Sequence, residues 1–182
     1  MKKIHFLQIM VLCLTLSSCE SCKEKEWDTL PPETQTGKNT FGCLIDGELF
    51  VGGCCAPWMH APLSASYSII SNKLYIGAYG KINGQAAGSI MIGIDTPREN
   101  STQKLYIANY GRDTNFDFTS PCILFEAVND GTCTITKLDT VNKIVSGRFE
   151  FIGKCTLNDN DSTVIRQITQ GRFDLKFDVI NE

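Results

Sequence analysis

Residues 172–179, near the end of the chain, alternate charged and apolar side chains with a period of two. This pattern restricts the fold more than any other feature of the sequence. Successive side chains of a β-strand point to opposite faces of the sheet. One face is therefore predicted to be core and the other to be wet. The segment Ser146–Phe151 repeats the Gly-Arg-Phe-acid order, which predicts a neighbouring strand. The predicted core face holds Phe173, Leu175, Phe177 and Val179, and the predicted wet face holds Arg172, Asp174, Lys176 and Asp178.

The rest of the chain also favours strands, since no stretch sustains a 3.6-residue apolar period. Asp46-Gly47 lies between two apolar runs and predicts a tight hairpin turn. The pattern predicts an all-β fold, an antiparallel β-sandwich or flattened β-barrel of about ten strands. The predicted strands are Phe41–Ile45, Glu48–Val51, Ser66–Ile70, Lys73–Tyr79, Ser89–Ile94, Lys104–Asn109, Cys122–Val128, Thr132–Leu138, Ile144–Ile152, Thr163–Ile168 and Arg172–Ile180.

The N-terminus has the order of a secretory signal. Lys2 and Lys3 precede a mainly apolar run from Ile4 to Leu16, which is shorter than the roughly 20 residues that span a bilayer as a helix. The stretch Leu16-Ser17-Ser18-Cys19 resembles the lipobox of bacterial lipoproteins. The resemblance implies that Cys19 becomes a lipidated N-terminus that anchors the protein to a membrane. An ordinary signal peptide with an incidental cysteine is the alternative.

Three regions follow from this interpretation: a signal peptide at 1–18, a flexible tether at 19–39 and a single β domain at 40–182. The tether is charged and contains prolines, so it buries too little apolar surface to offset the cost of ordering. Its acidic start resembles the export signals of some lipoproteins of the Bacteroides group, and a plain solvated spacer is the alternative. The expected location is the outer membrane, with the periplasmic or exposed face undecided.

Charge excludes one class of partner. Removal of residues 1–18 takes away two lysines and no acid, so the formal net charge changes from −3 to −5. A mildly acidic domain lacks the basic surface that nucleic acid binding needs, so no nucleic acid partner is expected.

Several motifs of the mature chain together resemble a family of uncharacterised lipoproteins of the Bacteroides group. They are LPPETQTG at 30–37, NTFGC at 39–43, DG at 46–47, ITKLD at 135–139, SGRFEF at 146–151 and ITQGRFD at 168–174. The resemblance covers nearly the whole mature chain and implies a β-rich lipoprotein domain of unknown function. It brings no catalytic or binding residues with it.

The chain has nine cysteines. Cys13 leaves with the signal and Cys19 carries the lipid, and the other seven enter an oxidising compartment. Disulfides or buried thiols that connect strands to loops are expected, and the pairing stays open. Cys43 and Cys133 alternate in phase with apolar neighbours and are predicted to point inward.

The stretch Gly52–Ala65 is the one that folding explains least, and it is the candidate binding loop. Thiolate, thioether and imidazole ligands suit copper or zinc, but their spacing here matches no established metal motif. A disulfide-pinned loop is the favoured interpretation, and no metal or other cofactor is expected. The candidate residues are Cys54, Cys55, Trp58, Met59 and His60.

A second candidate binding loop contains Asn109, Tyr110, Arg112 and Asp113, where an exposed aromatic ring and planar polar groups suit a sugar. No catalytic constellation is present, so an enzyme is not expected. The leading hypothesis is a lipid-anchored, non-catalytic binding or cell-envelope interaction module, whose partner is a surface glycan, a protein or a small ligand. The alternatives are a carrier of small apolar ligands with a lipocalin-like barrel, and a metal or redox protein that uses the Cys54–His60 loop.

Overall fold

A computed structural model describes residues 28–53, 61–112, 122–127, 131–156 and 163–181, and in these residues the fold is all-β. It contains no helix there, and so none that is long and apolar enough to cross a bilayer. The strands are β1 Thr40–Ile45, β2 Glu48–Gly52, β3 Leu63–Ser68, β4 Lys73–Ile82, β5 Gln85–Asp95, β6 Ser101–Arg112, β7 Leu124–Ala127, β8 Thr132–Asp139, β9 Ile144–Thr156, β10 Thr163–Lys176 and β11 Asp178–Ile180.

The eleven strands belong to one sheet, in the order β11-β3-β4-β2-β1-β10-β9-β7-β6-β5, and β8 lies between β6 and β9. All pairs are antiparallel except β11 with β3. Because β5 also pairs with β4, the path closes on itself. The short strands β3, β7, β8 and β11 each cover only part of a neighbour, so the result is a flattened barrel rather than a regular one. The predicted fold class is confirmed.

Several strands differ from their predicted boundaries, and the predicted strand Ser66–Ile70 is wrong at its end, because β3 spans Leu63–Ser68 and Ile69 and Ile70 belong to the following turn. The predicted β1–β2 turn is present, with Asp46 and Gly47 both at positive φ, 51° and 88°. The predicted strand Thr163–Ile168 and the first part of the predicted strand Arg172–Ile180 form β10, which passes through a bulge between Ile168 and Gly171 and ends at Lys176. The rest of the second predicted strand is β11, Asp178–Ile180. The strand β6 continues past its predicted end to Arg112.

Phenylalanine rings fill the interior of the sheet. The ring of Phe149 lies 5.1 Å from that of Phe41 and 6.3 Å from that of Phe173, between ring centroids. Phe173 and Leu175 are buried, as the alternation predicts. Residues of β9 and β10 pair directly, with Phe173 opposite Gly147, so the two Gly-Arg-Phe segments are neighbours as predicted.

Residues 31–38, which we call the strap, pack on the sheet, whereas they were predicted to belong to a flexible tether. The strap packs on the face of β10 that was predicted to be wet, and Asp174 is only 1% exposed there. Its carboxylate accepts hydrogen bonds from the hydroxyl groups of Thr34 (2.6 Å) and Ser146 (2.8 Å) and from the backbone amides of Gly37 (2.8 Å), Thr36 and Lys38 (both 3.1 Å). Four of these five donors belong to the strap, so Asp174 holds it on the sheet.

The strap also supplies an acidic side chain that lies next to two arginines of the sheet. The register places Arg148 directly opposite Arg172, so the strands do not supply the alternating acid that was expected between them. Glu33 of the strap supplies it, since its carboxylate accepts a hydrogen bond from Arg148 Nε at 2.9 Å and lies 4.0 Å from Arg172 Nη1. Arg172 Nη1 also donates to the Pro31 carbonyl oxygen at 3.3 Å. The strap therefore carries both an acid and a backbone acceptor for this arginine pair.

The sheet has two ends. The strap end holds the start of β1, the end of β10 and the turns at 69–72, 96–100 and 140–143, because Thr40 pairs with Asp174 and Lys176 pairs with Ile144. The opposite end holds the β1–β2 and β4–β5 turns, the end of β6, the start of β7, the end of β9 and the start of β10.

Candidate functional site

A cleft of about 970 Å³ lies where the sheet divides. One edge of β4 pairs with β2 at Gly80–Ile82 and with β3 at Lys73–Ala78. From there β2 leads to β1 and β10, whereas β3 leads to β11, so the two branches separate and leave the cleft between them. It is lined by Asp28, Lys38, Asn39, Thr40, Leu49, Val51, Gly52, Gly53, Ala61, Pro62, Leu63, Ser64, Ala65, Lys81, Asn83, Gly84, Leu175, Lys176, Phe177 and Asp178.

The first candidate loop begins and ends in the wall of this cleft. The amide of Gly53 donates to the Tyr79 carbonyl oxygen at 3.0 Å, and the amide of Tyr79 donates to the Pro62 carbonyl oxygen at 2.8 Å. The described residues on both sides of the loop are thus held by one residue of β4. Cys54, Cys55, Trp58, Met59 and His60 lie outside the described residues, so their role as binding residues stays a prediction.

The walls of the cleft combine apolar side chains with both signs of charge. Leu63 and Phe177 supply apolar surface, and Lys38, Lys176 and Asp178 supply charges. Such a lining suits a ligand that has both apolar and polar groups. Within the residues described, no three His, Cys, Asp or Glu side chains form a group that could hold a metal ion.

Sequence reasoning missed the cleft residues because the separation of two sheet branches is a long-range feature. The sequence does contain one local signal. Gly52-Gly53 ends β2 and Ala61-Pro62 precedes β3, and these two strands pair with successive parts of the same edge of β4. These four residues mark the neck of the loop and also line the cleft.

The prediction that Tyr110 is an exposed residue of the second candidate loop is wrong. Because β6 continues to Arg112, its period of two turns Tyr110 inward, where the side chain is 4% exposed and its ring stacks on Phe125 with centroids 5.8 Å apart. The hydroxyl group donates to the Ala87 carbonyl oxygen at 3.3 Å, and burial raises the pKa of Tyr110. Tyr110 is therefore not available to stack on a sugar. Asn109 and Arg112 are strand residues, and Asp113 lies outside the described part.

The four described domain cysteines divide into a bonded pair and two buried thiols. Cys122 and Cys155 lie at disulfide distance, with their Cα atoms 5.9 Å apart, and the bond joins the chain before β7 to β9. Cys43 and Cys133 are buried and point inward, as predicted. Burial raises the pKa of the Cys133 thiol to about 12 and raises that of Cys43 as well. Both thiols stay protonated at neutral pH, which makes them inert core residues.

Comparison with known proteins identifies no relative, since no family model, no curated protein and no solved structure matches the chain. The resemblance to uncharacterised Bacteroides-group lipoproteins therefore rests on the sequence motifs alone.

Proposed function

We propose that the protein is a non-catalytic binding module, anchored to the bacterial outer membrane through a lipid on Cys19, which binds its partner in the cleft between β2 and β3. The anchor is supported by the sequence from Lys2 to Cys19, with its basic start, short apolar run and lipobox-like end. The binding role is supported chiefly by one observation, the cleft at the division of the sheet.

The size and lining of the cleft fit a binding site. Its volume of about 970 Å³ lies at the upper end of the range typical of ligand pockets, roughly 300–1,000 Å³. Residues from the strap, from β3 and from the β10–β11 junction meet in its walls. A site built mainly on strands holds its shape better than a site built on loops alone, which favours selective binding.

The other two hypotheses have less support. A carrier of apolar ligands needs an open interior, but Phe41, Phe50 and Phe149 fill the space between the sheet walls. A metal or redox role depends on the Cys54–His60 loop, which lies outside the described residues.

Filling the cleft with a large side chain is expected to weaken binding of the partner. The measurement is amide hydrogen exchange in the presence of soluble peptidoglycan fragments, surface oligosaccharides and short unstructured peptides. We expect at least one of these probes to slow exchange in β2 and β3. Ser64 is exposed and lines the cleft, so Ser64→Trp is expected to weaken that binding at least tenfold, about 1.4 kcal/mol.

The matched control is Ser89→Trp, which places the same ring at an exposed position of β5 that does not line the cleft. It is expected to leave the affinity unchanged. The proposal is contradicted if Ser64→Trp binds as well as the control, or if no probe slows exchange in these strands.

A further inference from the structure

The first described part of the chain leaves the wall of the cleft and returns to it. Asp28, the first residue that the structure describes, lines the cleft, and so does Lys38 at the end of the strap. Between these two points the chain crosses the sheet until Glu33 meets Arg148 of β9, and it comes back over Asp174 of β10. Both ends of this excursion therefore lie at the same cleft.

The first half of the excursion follows one row of paired residues across four neighbouring strands. The row consists of Arg172 in β10, Gly42 in β1, Val51 in β2 and Lys81 in β4. Pro31 is buried against Gly42, so closely that a Cβ atom on Gly42 would lie 2.5 Å from Pro31 Cδ. The absence of a side chain at Gly42 therefore lets the chain cross β1 at this point.

The same row leads from Pro31 to the cleft. Three positions separate Pro31 from Asp28, and an extended chain covers about 10 Å over them, which is also the width of two strand spacings. Two spacings along the row from Gly42 lead past Val51 to Lys81, and both of these residues line the cleft together with Asp28. The chain that precedes Asp28 therefore joins the domain at the cleft.

Residues 20–27, which we call the lead segment, lie outside the described residues, but their sequence ESCKEKEW suits the cleft. Trp27 directly precedes Asp28 and is one of the two tryptophans of the chain. Flexible linkers are poor in aromatic residues, and an indole gains much from contact with apolar surface. The cleft offers such surface through Leu63 and Phe177.

The charges of the incoming chain and of the cleft are also of opposite sign. Residues 20–28 contain four acids and two lysines, a formal net charge of −2. The other charged residues of the cleft wall are Lys38, Lys81, Lys176 and Asp178, a formal net charge of +2. Complementary charge favours the contact. Because the segment is joined directly to the wall, its effective concentration at the cleft is high, and a weak contact is enough to keep it there.

We propose that the lead segment occupies the cleft of the free protein, with Trp27 against the apolar part of the wall. The cleft then binds an extended acidic chain that carries a large apolar side chain. A partner that binds in the cleft has to displace the lead segment, and this consequence rests on the proposed function.

Fluorescence of Trp27 tests the contact. The protein is made as the chain from residue 19, which keeps every described residue, with Cys19→Ala so that no acyl chain shields the indole and Trp58→Phe so that only one tryptophan remains. Ser64→Phe fills the cleft from an exposed position, and the control Ser89→Phe places the same ring on β5 outside the cleft. We expect acrylamide to quench Trp27 at least about twofold more strongly with Ser64→Phe than in the parent or the control, because the displaced indole is exposed.

Equal quenching in the three proteins overturns the proposal, whether the indole is exposed or shielded in all of them. Shielding that appears only as the protein concentration rises also overturns it, because the cleft then takes the lead segment of a second copy.

A binding measurement separates this proposal from the proposed function. Trp27→Ala is expected to strengthen binding of the probe that slows exchange in β2 and β3 at least about fivefold, because an occupied cleft lowers the apparent affinity by the fraction that is open. Shielding of Trp27 by the cleft, with no probe bound, supports the occupancy and contradicts the proposed function. A probe that binds in the cleft equally well with and without Trp27 supports the proposed function and contradicts the occupancy.

Discussion

Replacement of Asp174 by asparagine is expected to lower the free energy of unfolding by about 3–5 kcal/mol and to release the strap. The carboxylate accepts five hydrogen bonds, and four of the donors belong to the strap. An amide has only one acceptor oxygen, and its NH₂ group would face the donors of Thr34 or Ser146. Buried donors that lose a charged acceptor are costly. Urea denaturation measures the loss, and hydrogen exchange at Thr36, Gly37 and Lys38 reports the release.

The same carboxylate gives the strap a pH dependence. Burial raises the pKa of Asp174, but the hydrogen bonds from Thr34, Ser146 and the strap amides outweigh it, so the pKa lies below its usual value. Its contribution to stability is therefore complete above the pKa of the unfolded chain, about 4, and is lost as the pH falls through the lower pKa of the folded state. Asp174→Asn is expected to lack this part of the acid sensitivity.

Glu150→Gln is the matched control, since it is an acid-to-amide change at an exposed position of β9. It is expected to change the free energy of unfolding by less than about 0.5 kcal/mol. If Asp174→Asn were as stable as this control, with its strap amides still protected, the role of Asp174 in holding the strap would be wrong.

Truncation of Phe149 to alanine is expected to cost about 4 kcal/mol, because its ring contacts three other phenylalanines at the centre of the core. The ring centroids of Phe41, Phe151 and Phe173 lie 5.1, 6.5 and 6.3 Å away. Removal of a buried ring loses its transfer free energy and leaves a cavity that the closed sheet cannot fill by collapse. The measurement is the urea midpoint at constant m value.

Ile152→Ala, three residues along the same strand and partly exposed, provides the comparison and is expected to cost less than about 1 kcal/mol. A loss for Phe149→Ala as small as this would mean that the phenylalanine cluster is not the centre of the core.

The sequence predicted the parts of the fold that depend on local pattern. The alternation from Phe173 to Val179 placed the apolar face correctly, and Asp46-Gly47 placed the first hairpin. Cys43 and Cys133 follow the same alternation and are buried as predicted. In each case the relevant information lies within a few residues of the strand or turn concerned.

Other features depend on contacts between distant parts of the chain. Asp174 was predicted to face water, and it is buried because Thr34, 140 residues earlier, folds back over it. The inward position of Tyr110 depends on how far β6 continues, which its pairing with Gly88–Ile94 of β5 determines. The cleft depends on β4 sharing one edge between two strands. None of these partners is indicated by the local sequence, since strand pairing and register are tertiary properties.

The most direct test of the account is the state of Cys19 in protein made by a bacterial host that processes lipoproteins. Mass spectrometry of the N-terminal peptide is predicted to show cleavage before Cys19 and a mass increase from covalent acyl chains. The outer-membrane fraction is predicted to retain the protein, and Cys19→Ala to lose both properties. An unmodified Cys19 in the mature protein, or a Cys19→Ala variant that stays in the outer-membrane fraction as completely as the parent, would contradict the account.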